Sequence, residues 1–285
     1  MLFRLFSDIH QEFKISHLKN NNSDILLNTL WYPIPLQKDK QTILLLAGDI
    51  WNKYSMLKYG NHSYNWLKHL SEQFKAVVLV LGNHDYWGNH LSIAQKLKLK
   101  IQQSGLGNVH LLEKDSIVID NMRIIGTTLW SHISSTVEKA YLSQIHDRNG
   151  KMNNDFNHIR AGTNYEKFRI KHYNELNQLA THYLKNQIET SKESVIVLTH
   201  HAPLLQAYRF YDKELPEFFQ YFDANDFESY LLEDSVQEKV KFWGFGHIHY
   251  SQTHQIGSVI IANNSVGYTK LTDHFSQEGL FEIEP

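Results

Sequence analysis

The sequence predicts an α/β fold built on a largely parallel sheet, because short apolar runs alternate with segments of helical period. Leu2–Phe6 is a short run that is apolar except at Arg4, and Thr42–Ala47 and Ala76–Leu81 are runs of apolar and β-branched residues, typical of strands buried on both faces. Tyr64–Phe74 and Leu91–Ile101 carry apolar residues at helical spacing. Strands that alternate with helices favour parallel pairing through right-handed crossovers.

Shorter β-like runs follow residue 105 and predict a meander or hairpin. These runs are Val109–Leu112, Ser116–Ile119 and Met122–Gly126. Asp120-Asn121 separates the last two, and a two-residue connection of this type predicts a hairpin turn.

The segment 130–191 is polar and is predicted to be largely helical, covering one face of a sheet. Its second half carries apolar residues near helical spacing, at Phe168, Leu176, Leu179, Leu184 and Ile188. Three further strands are expected after it, at Ser194–Thr199, Val240–Phe245 and Val259–Ala262. We expect residues 1–285 to form a single domain.

The composition excludes several classes of protein. The 285 residues are 42% hydrophobic and 20% charged, with a formal net charge of −2, as in ordinary globular chains. This balance gives no global basic field for gripping long nucleic acid. No apolar run approaches the roughly 18 residues that span a bilayer, and no signal-peptide pattern precedes Ser7. Zero cysteines exclude disulfides and thiolate ligands, so we predict a cytoplasmic protein whose metal, if any, is held by nitrogen and oxygen.

Five of the predicted strands end in a cluster of Asp, Asn or His. Ligands of open α/β sheets bind at the carboxyl ends of the strands, so all five clusters are expected to converge on one rim. In chain order they are Asp8-Ile9-His10, Gly48-Asp49, Gly82-Asn83-His84-Asp85, His200-His201 and Gly246-His247-Ile248-His249.

These clusters supply more ligands than one four-coordinate ion takes, and the number suits two ions sharing a carboxylate. Two divalent ions about 3.5 to 4 Å apart clamp a phosphoryl centre, and a water shared between them becomes hydroxide near neutral pH. Phosphate-ester hydrolysis is the expected chemistry. The seven candidate ligands are Asp8, His10, Asp49, Asn83, His200, His247 and His249.

In their order, these motifs resemble those of the calcineurin-like metallophosphoesterases, which carry D-x-H, G-D, G-N-H-[D/E], a His and G-H-x-H. The resemblance covers nearly the whole chain and implies a four-layer αββα sandwich of two mixed sheets flanked by helices. It assigns one metal to Asp8, His10 and His249, the other to Asn83, His200 and His247, and makes Asp49 the bridge. The sequences of residues 7–13, 126–130, 152–156 and 199–203 resemble those of a bacterial subgroup of the family whose substrate is undefined.

The resemblance also implies a catalytic role for His84, which meets the phosphate and protonates or stabilises the leaving oxygen. Asp85 either orients that loop or only caps the turn. Protein Ser/Thr phosphatases of the superfamily carry G-D-x-V-D-R-G, whereas Gly48-Asp49 is followed here by Ile50-Trp51-Asn52-Lys53. A phosphoprotein phosphatase is therefore disfavoured, although Lys53 can replace part of the missing positive charge.

The expected activity is hydrolysis of a small phosphodiester or nucleotide by in-line attack of metal-bridging hydroxide. Manganese is the favoured metal, and Fe, Ni, Co and Zn also suit these ligands. A metal-dependent nuclease is the alternative enzyme. A non-catalytic, protein-binding member of the family is the alternative from another class, disfavoured because His84 and all seven ligand positions are present.

Two residues are candidate substrate contacts, and neither assignment is unique. His201 is a phosphate contact or a loop residue. Arg160 belongs to a basic run with Lys167, Arg169 and Lys171, which binds phosphate or forms a solvated helix face. An aromatic-rich segment either packs on the body, which we favour, or stacks a nucleobase. Its members are Tyr208, Phe210, Tyr211, Phe218, Phe219, Tyr221 and Phe222.

Overall fold

Two mixed β-sheets pack face to face in the computed structural model, which describes residues 1–15, 29–51, 60–147, 153–211, 219–268 and 270–284. The first sheet has five strands in the order β13-β1-β2-β3-β4. β1 to β4 run parallel, and β13 pairs antiparallel with β1 at the edge. The strands are β1 (Leu2–Phe6), β2 (Ile43–Ala47), β3 (Ala76–Val80), β4 (Val109–Leu111) and β13 (Leu280–Glu282).

The second sheet has six strands in the order β11-β12-β10-β9-β6-β5. Its four central strands run parallel, and an antiparallel strand closes each edge. The strands are β5 (Asp115–Ile119), β6 (Met122–Thr127), β9 (Ser194–Thr199), β10 (Val240–Phe245), β11 (Gln252–Ile256) and β12 (Val259–Asn263). A separate two-stranded ribbon pairs β7 (Arg160–Ala161) with β8 (Glu166–Lys167).

Helices cover the outer faces of both sheets and complete the predicted four-layer αββα sandwich. The longer ones are α2 (Gly60–Gln73), α4 (Ile93–Gln102), α5 (Ser135–Asp147) and α7 (Ile170–Thr190). The shorter ones are α1 (Gln11–Ile15), α3 (Asn83–Tyr86), α6 (Asn154–His158), α8 (Leu205–Tyr211), α9 (Gln220–Asp223), α10 (Glu228–Leu231) and α11 (Asp234–Lys239), with a 3₁₀ turn at Asp39–Gln41.

Alternating residues of the central strands enter different cores, which explains their continuous apolar sequence. In β2, Leu45 and Ala47 face the core between the sheets, whereas Leu44 and Leu46 face the core under the helices of the first sheet. Successive side chains of a strand point to opposite faces, so both sets are buried only when both faces of the sheet are covered. A third core lies between the second sheet and its helices, where Leu184 of α7 packs.

The structure confirms the predicted hairpin between β5 and β6. Asp120 and Asn121 have φ values of 51° and 59°. Both residues therefore adopt the left-handed conformation that a type I′ turn requires. Antiparallel pairing begins directly beside the turn, with Ile119 opposite Met122.

Some sequence-based expectations were wrong in detail. Leu179 is 58% exposed, whereas Leu184 and Ile188 are buried as expected, because the buried face of α7 runs through Tyr173, Ala180 and Leu184. The basic run does not begin on a helix, since Arg160 and Lys167 pair across the β7–β8 ribbon. Strands β11 and β13 were not anticipated. Lys53 and Phe218 lie outside the described residues.

Among the described residues, no helix is both long enough and apolar enough to cross a lipid bilayer.

Candidate active site

The loops after five parallel strands meet at one rim of the sandwich, as predicted, and backbone hydrogen bonds join them. The Asp8 N–H donates to the Gly48 carbonyl at 3.0 Å, which ties the loop after β1 to the loop after β2. The Gly246 N–H donates to the His200 carbonyl at 2.9 Å, which ties the loop after β10 to the loop after β9. The His247 N–H donates to Asp8 Oδ1 at 3.1 Å and connects the two sheets at this rim.

Strained backbone conformations concentrate at this rim. Asp8, His10, Asp49 and His247 have positive φ values of 50°, 46°, 54° and 67°. Such conformations cost about 1 to 3 kcal/mol each for residues other than glycine, and they persist where the surrounding structure enforces them. The rim therefore holds these side chains in directions that relaxed loops do not provide.

Two of the motif glycines lie so close to neighbouring atoms that no larger residue fits at these positions. A Cβ atom at Gly82 would lie 2.1 Å from Asp49 Oδ1, and one at Gly246 would lie 2.4 Å from the Ala47 carbonyl oxygen. No side chain fits at either position without moving the backbone or the buried carboxylate. The two glycines thus allow the ligand-bearing loops to pack against each other.

The first group of possible metal ligands consists of Asp8, His10 and His249. His249 Nε2 lies 3.4 Å from Asp8 Oδ1 and 3.3 Å from His10 Nε2, and all three ligand atoms lie within 4.8 Å of one another. Glu12 Oε1 lies 3.3 Å from His10 Nδ1. Because a carboxylate accepts, Nδ1–H is the donor, and the lone pair of His10 is left on Nε2 facing the group.

The second group consists of Asn83, His200 and His247, and an oxygen of Asp49 lies within 4.8 Å of a ligand nitrogen of each of the two histidines. Asn83 Oδ1 lies 3.0 Å from His200 Nε2, which is 3.5 Å from Asp49 Oδ1. His200 Nδ1–H donates to the Ala47 carbonyl at 2.8 Å, so the lone pair of Nε2 faces the group. His247 Nε2–H donates to Asp223 Oδ1 at 2.9 Å, which leaves Nδ1 as its free nitrogen.

Asp49 lies between the two groups and directs one oxygen toward each. Its Oδ2 is 3.6 Å from His10 Nε2, and its Oδ1 is 3.5 Å from His200 Nε2. A carboxylate that bridges two ions needs this arrangement.

The electrostatics of the rim fit bound cations. Burial, together with the charges of Asp85 and Asp8, raises the pKa of Asp49 well above its usual value. Burial also opposes ionisation of Asp8, but His249, His200 and His10 outweigh it and lower the pKa of Asp8. Asp8 Oδ2 is buried without a hydrogen-bond partner. Buried carboxylate oxygens are rarely left unpaired, and metal ions are a common partner, so these residues fit a metal centre.

His84 lies at the same rim, beside both groups. The residue is 7% exposed, and its ring stacks on Trp87 with the ring centroids 3.6 Å apart. Its Nδ1 lies 3.9 Å from Glu12 Oε1. Burial and the neighbouring histidines, led by His10, lower the pKa of His84 to about 2. A ligand atom of His84 also lies within 4.8 Å of His10 and Asp49, so geometry alone leaves His84 a possible metal ligand.

Asp85 joins two loops rather than only capping its own turn. Its Oδ2 accepts from the Gly82 N–H at 2.7 Å and the Asp49 N–H at 2.9 Å, and its Oδ1 accepts from the Trp51 N–H at 2.9 Å. Burial raises the pKa of Asp85 to about 7 despite these bonds. These bonds agree with the first alternative, in which Asp85 orients the loop, and not with a carboxylate that only caps the turn.

The two candidate substrate contacts differ in position. His201 is fully buried, with its ring centroid 4.3 Å from that of His247 and its Nε2 unbonded. Arg160 lies on the β7–β8 ribbon, and its Nη1 donates to the carbonyls of Asn157 and Ile159 at 3.2 Å. In the aromatic segment, Tyr208 and Phe222 are buried, which agrees with packing at those positions.

Sequence reasoning missed three acidic partners of the candidate ligands. Glu12 and Asp223 bond to His10 and His247, and Asp155 Oδ1 accepts from Asn83 Nδ2 at 2.9 Å. Glu12 and Asp155 lie in segments 7–13 and 152–156, which resemble a bacterial subgroup of the family but did not by themselves indicate a role for either residue. Asp223 directly follows the aromatic segment, where no motif marked it.

Comparisons with known proteins agree with this geometry. An uncharacterized protein of Acanthamoeba polyphaga mimivirus is 28% identical over 298 residues, covering 99% of this chain and 97% of the relative. The crystal structure of phosphopantetheinyl hydrolase (PptH) from Mycobacterium tuberculosis superposes with a TM-score of 0.68 at 17% identity, covering 99% of this chain and 95% of the other, and shares the fold. The family model described as calcineurin-like phosphoesterase matches residues 1–251, which include all five motifs. The chain belongs to the calcineurin-like phosphoesterases and is a phosphoester-hydrolysing enzyme.

Proposed function

We propose that the protein is a binuclear metal-dependent phosphoesterase that hydrolyses a small phosphodiester or nucleotide. The observation that carries the proposal is the position of Asp49 between two groups of nitrogen and oxygen ligands, with one carboxylate oxygen toward each. Seven such ligands exceed the needs of one ion.

Each group would hold one divalent ion, with Asp49 shared. Two ions held there would activate a water molecule for in-line displacement at phosphorus and would neutralise charge on the phosphate oxygens. Manganese is the metal we favour among those that accept these ligands. The ligands are Asp8, His10 and His249 in one group and Asn83, His200 and His247 in the other.

The residues behind the ligands fix the tautomers that metal binding requires. Glu12 and Asp223 accept from His10 and His247, and the Ala47 carbonyl accepts from His200. In each histidine, the hydrogen bond leaves the other ring nitrogen unprotonated, and that nitrogen faces the candidate metal site. The ligands are therefore preorganised.

His84 would stabilise or protonate the leaving oxygen. Its side chain lies against both ligand groups, and its ring is held by stacking on Trp87. A donor fixed beside the reacting phosphate stabilises charge that develops on the leaving oxygen.

The proposed substrate class rests on the absence of the protein-phosphatase motif and on the net charge of the chain. Gly48-Asp49 is not followed by the D-R-G of protein phosphatases, and a net charge of −2 does not favour long nucleic acid. PptH, similar in fold along nearly the whole chain, is named a phosphopantetheinyl hydrolase, so a phosphopantetheinyl compound belongs in a substrate panel with nucleotides.

Hydrolysis of bis-p-nitrophenyl phosphate and p-nitrophenyl phosphate tests this proposal, using protein stripped of metal and then refilled with Mn²⁺. The proposal predicts Mn²⁺-dependent turnover that prefers the diester and is lost in His84→Ala. Absence of turnover of both esters and of the nucleotide panel, despite bound metal, would contradict it. Cleavage of DNA or RNA that falls steeply with salt would favour a nuclease instead.

A further inference from the structure

We propose that Asp155 is a positioning residue that decides which atom of Asn83 faces the metal centre and, through Trp87, holds the ring of His84. This role rests on the proposed function, since it acts on a candidate ligand and on the candidate catalytic histidine. Neither the motifs nor the family match assigns a role to Asp155.

Asp155 is buried beside the site and accepts three side-chain hydrogen bonds. Its Oδ1 accepts from Asn83 Nδ2 at 2.9 Å and from Trp87 Nε1 at 2.7 Å. The hydroxyl of Tyr173 donates to its Oδ2. One carboxylate oxygen therefore accepts from both rim residues, Asn83 and Trp87, and the other accepts from Tyr173 of α7.

The bond to Asn83 fixes the orientation of the amide. Asn83 offers an oxygen on one side and an NH₂ group on the other, and only the oxygen binds a cation. Because Asp155 Oδ1 accepts, it takes the NH₂ group and leaves Asn83 Oδ1 facing His200 Nε2 at 3.0 Å. A flipped amide would present NH₂ to the metal and place two oxygens against each other.

The hydrogen bond from Trp87 to Asp155 supports the position of His84. The indole ring stacks on His84 with ring centroids 3.6 Å apart and an interplanar angle of 22°. A hydrogen bond at Nε1 holds the indole in one χ1/χ2 rotamer, so the stacking surface under His84 stays in place. Asp155 thus acts on the metal centre and on the candidate acid from one position.

Asp155 is itself firmly held. Its own N–H donates to Asn153 Oδ1 at 2.9 Å, which caps α6, and the next residue, Phe156, is buried in the core. A carboxylate fixed by its backbone can dictate the orientation of its partners.

Three variants separate positioning from a general effect on stability. Asp155→Leu replaces both acceptor oxygens with methyl groups and keeps the branched shape of the side chain. Asp155→Asn keeps one oxygen for Asn83 and Trp87, while its Nδ2 can donate to the Tyr173 hydroxyl in place of the present bond. Tyr173→Phe removes the third bond of Asp155 and leaves Asn83 and Trp87 untouched, so it is the matched control.

The experiment measures Mn²⁺ bound per chain by equilibrium dialysis, together with turnover of bis-p-nitrophenyl phosphate. We expect two ions in the wild type, Asp155→Asn and Tyr173→Phe. In Asp155→Leu, we expect about 10- to 100-fold weaker binding of one ion, normal binding of the other and loss of turnover. Asp155→Ser replaces the leucine variant if that variant does not fold.

Two results would overturn the positioning role. Normal binding of both ions in Asp155→Leu, or in Asp155→Ser where that variant replaces it, would refute the positioning role while leaving the proposed function intact. Equal loss in Tyr173→Phe would show that only packing is involved. A wild-type protein that binds no ion would overturn the proposed function and this role together.

Discussion

The backbone N–H of His84 donates a 2.8 Å hydrogen bond to Asp49 Oδ1 and so joins the candidate acid to the carboxylate between the two ligand groups. The bond comes from the main chain, so it does not depend on the imidazole. The position of Asp49 and the chemistry of His84 can therefore be tested by separate substitutions.

His84→Ala should lower kcat for bis-p-nitrophenyl phosphate by about 10² or more, because it removes a group that stabilises the leaving oxygen. Metal content should stay at two ions, since the bond from the main chain to Asp49 survives. Steady-state kinetics and elemental analysis of the same preparation check both points. An unchanged kcat would show that His84 takes no part in the reaction, and loss of an ion would show that His84 is a metal ligand.

Asp49→Asn should lose metal at both positions, because an amide offers only one oxygen where the carboxylate directs one toward each group. Mass spectrometric metal analysis after dialysis measures the effect. Two tightly bound ions in this variant would show that Asp49 does not bridge.

Asp223→Leu should weaken binding of the ion held by Asp49, His200 and His247 by about 10- to 100-fold, because His247 loses the acceptor that fixes its tautomer. Asp223→Asn is the matched control, since its amide oxygen can still accept from Nε2. Calorimetric titration with Mn²⁺ compares the two. Equal affinities in the leucine and asparagine variants would argue against control of the tautomer.

Arg4→Met should destabilise the fold by about 3 to 5 kcal/mol, because it leaves Asp39 buried without its partner. Arg4 Nη1 lies 3.0 Å from Asp39 Oδ1, and the side chain is fully buried. The control is Asp120→Asn, which breaks an exposed pair with Lys75 and should cost under about 1 kcal/mol. Urea unfolding measures both variants, and similar midpoints would refute the difference.

The strand ends of the site could be predicted from sequence because their physical signals are local. Buried parallel strands are continuous apolar runs, and ligand residues follow them directly, as Asp49 follows β2. Strand β11 was missed because its sequence, Gln252–Ile256, is mostly polar, and it lies at a sheet edge where one neighbouring strand suffices.

Two of the three acidic partners could not be predicted because they depend on tertiary contacts between distant segments, whereas Glu12 is only two residues from His10. Asp155 lies 72 positions from Asn83 in the chain, and Asp223 lies 24 positions from His247. An acidic residue in a polar helix is common, and only the fold shows which one meets a ligand.

The most direct test of the account is turnover of bis-p-nitrophenyl phosphate as a function of Mn²⁺ bound per chain, starting from metal-free protein. If Asp49 joins two ions into one catalytic centre, activity should stay low up to one ion per chain and rise as the second binds. Full activity with a single ion bound, or no rise after two have bound, would contradict a binuclear phosphoesterase.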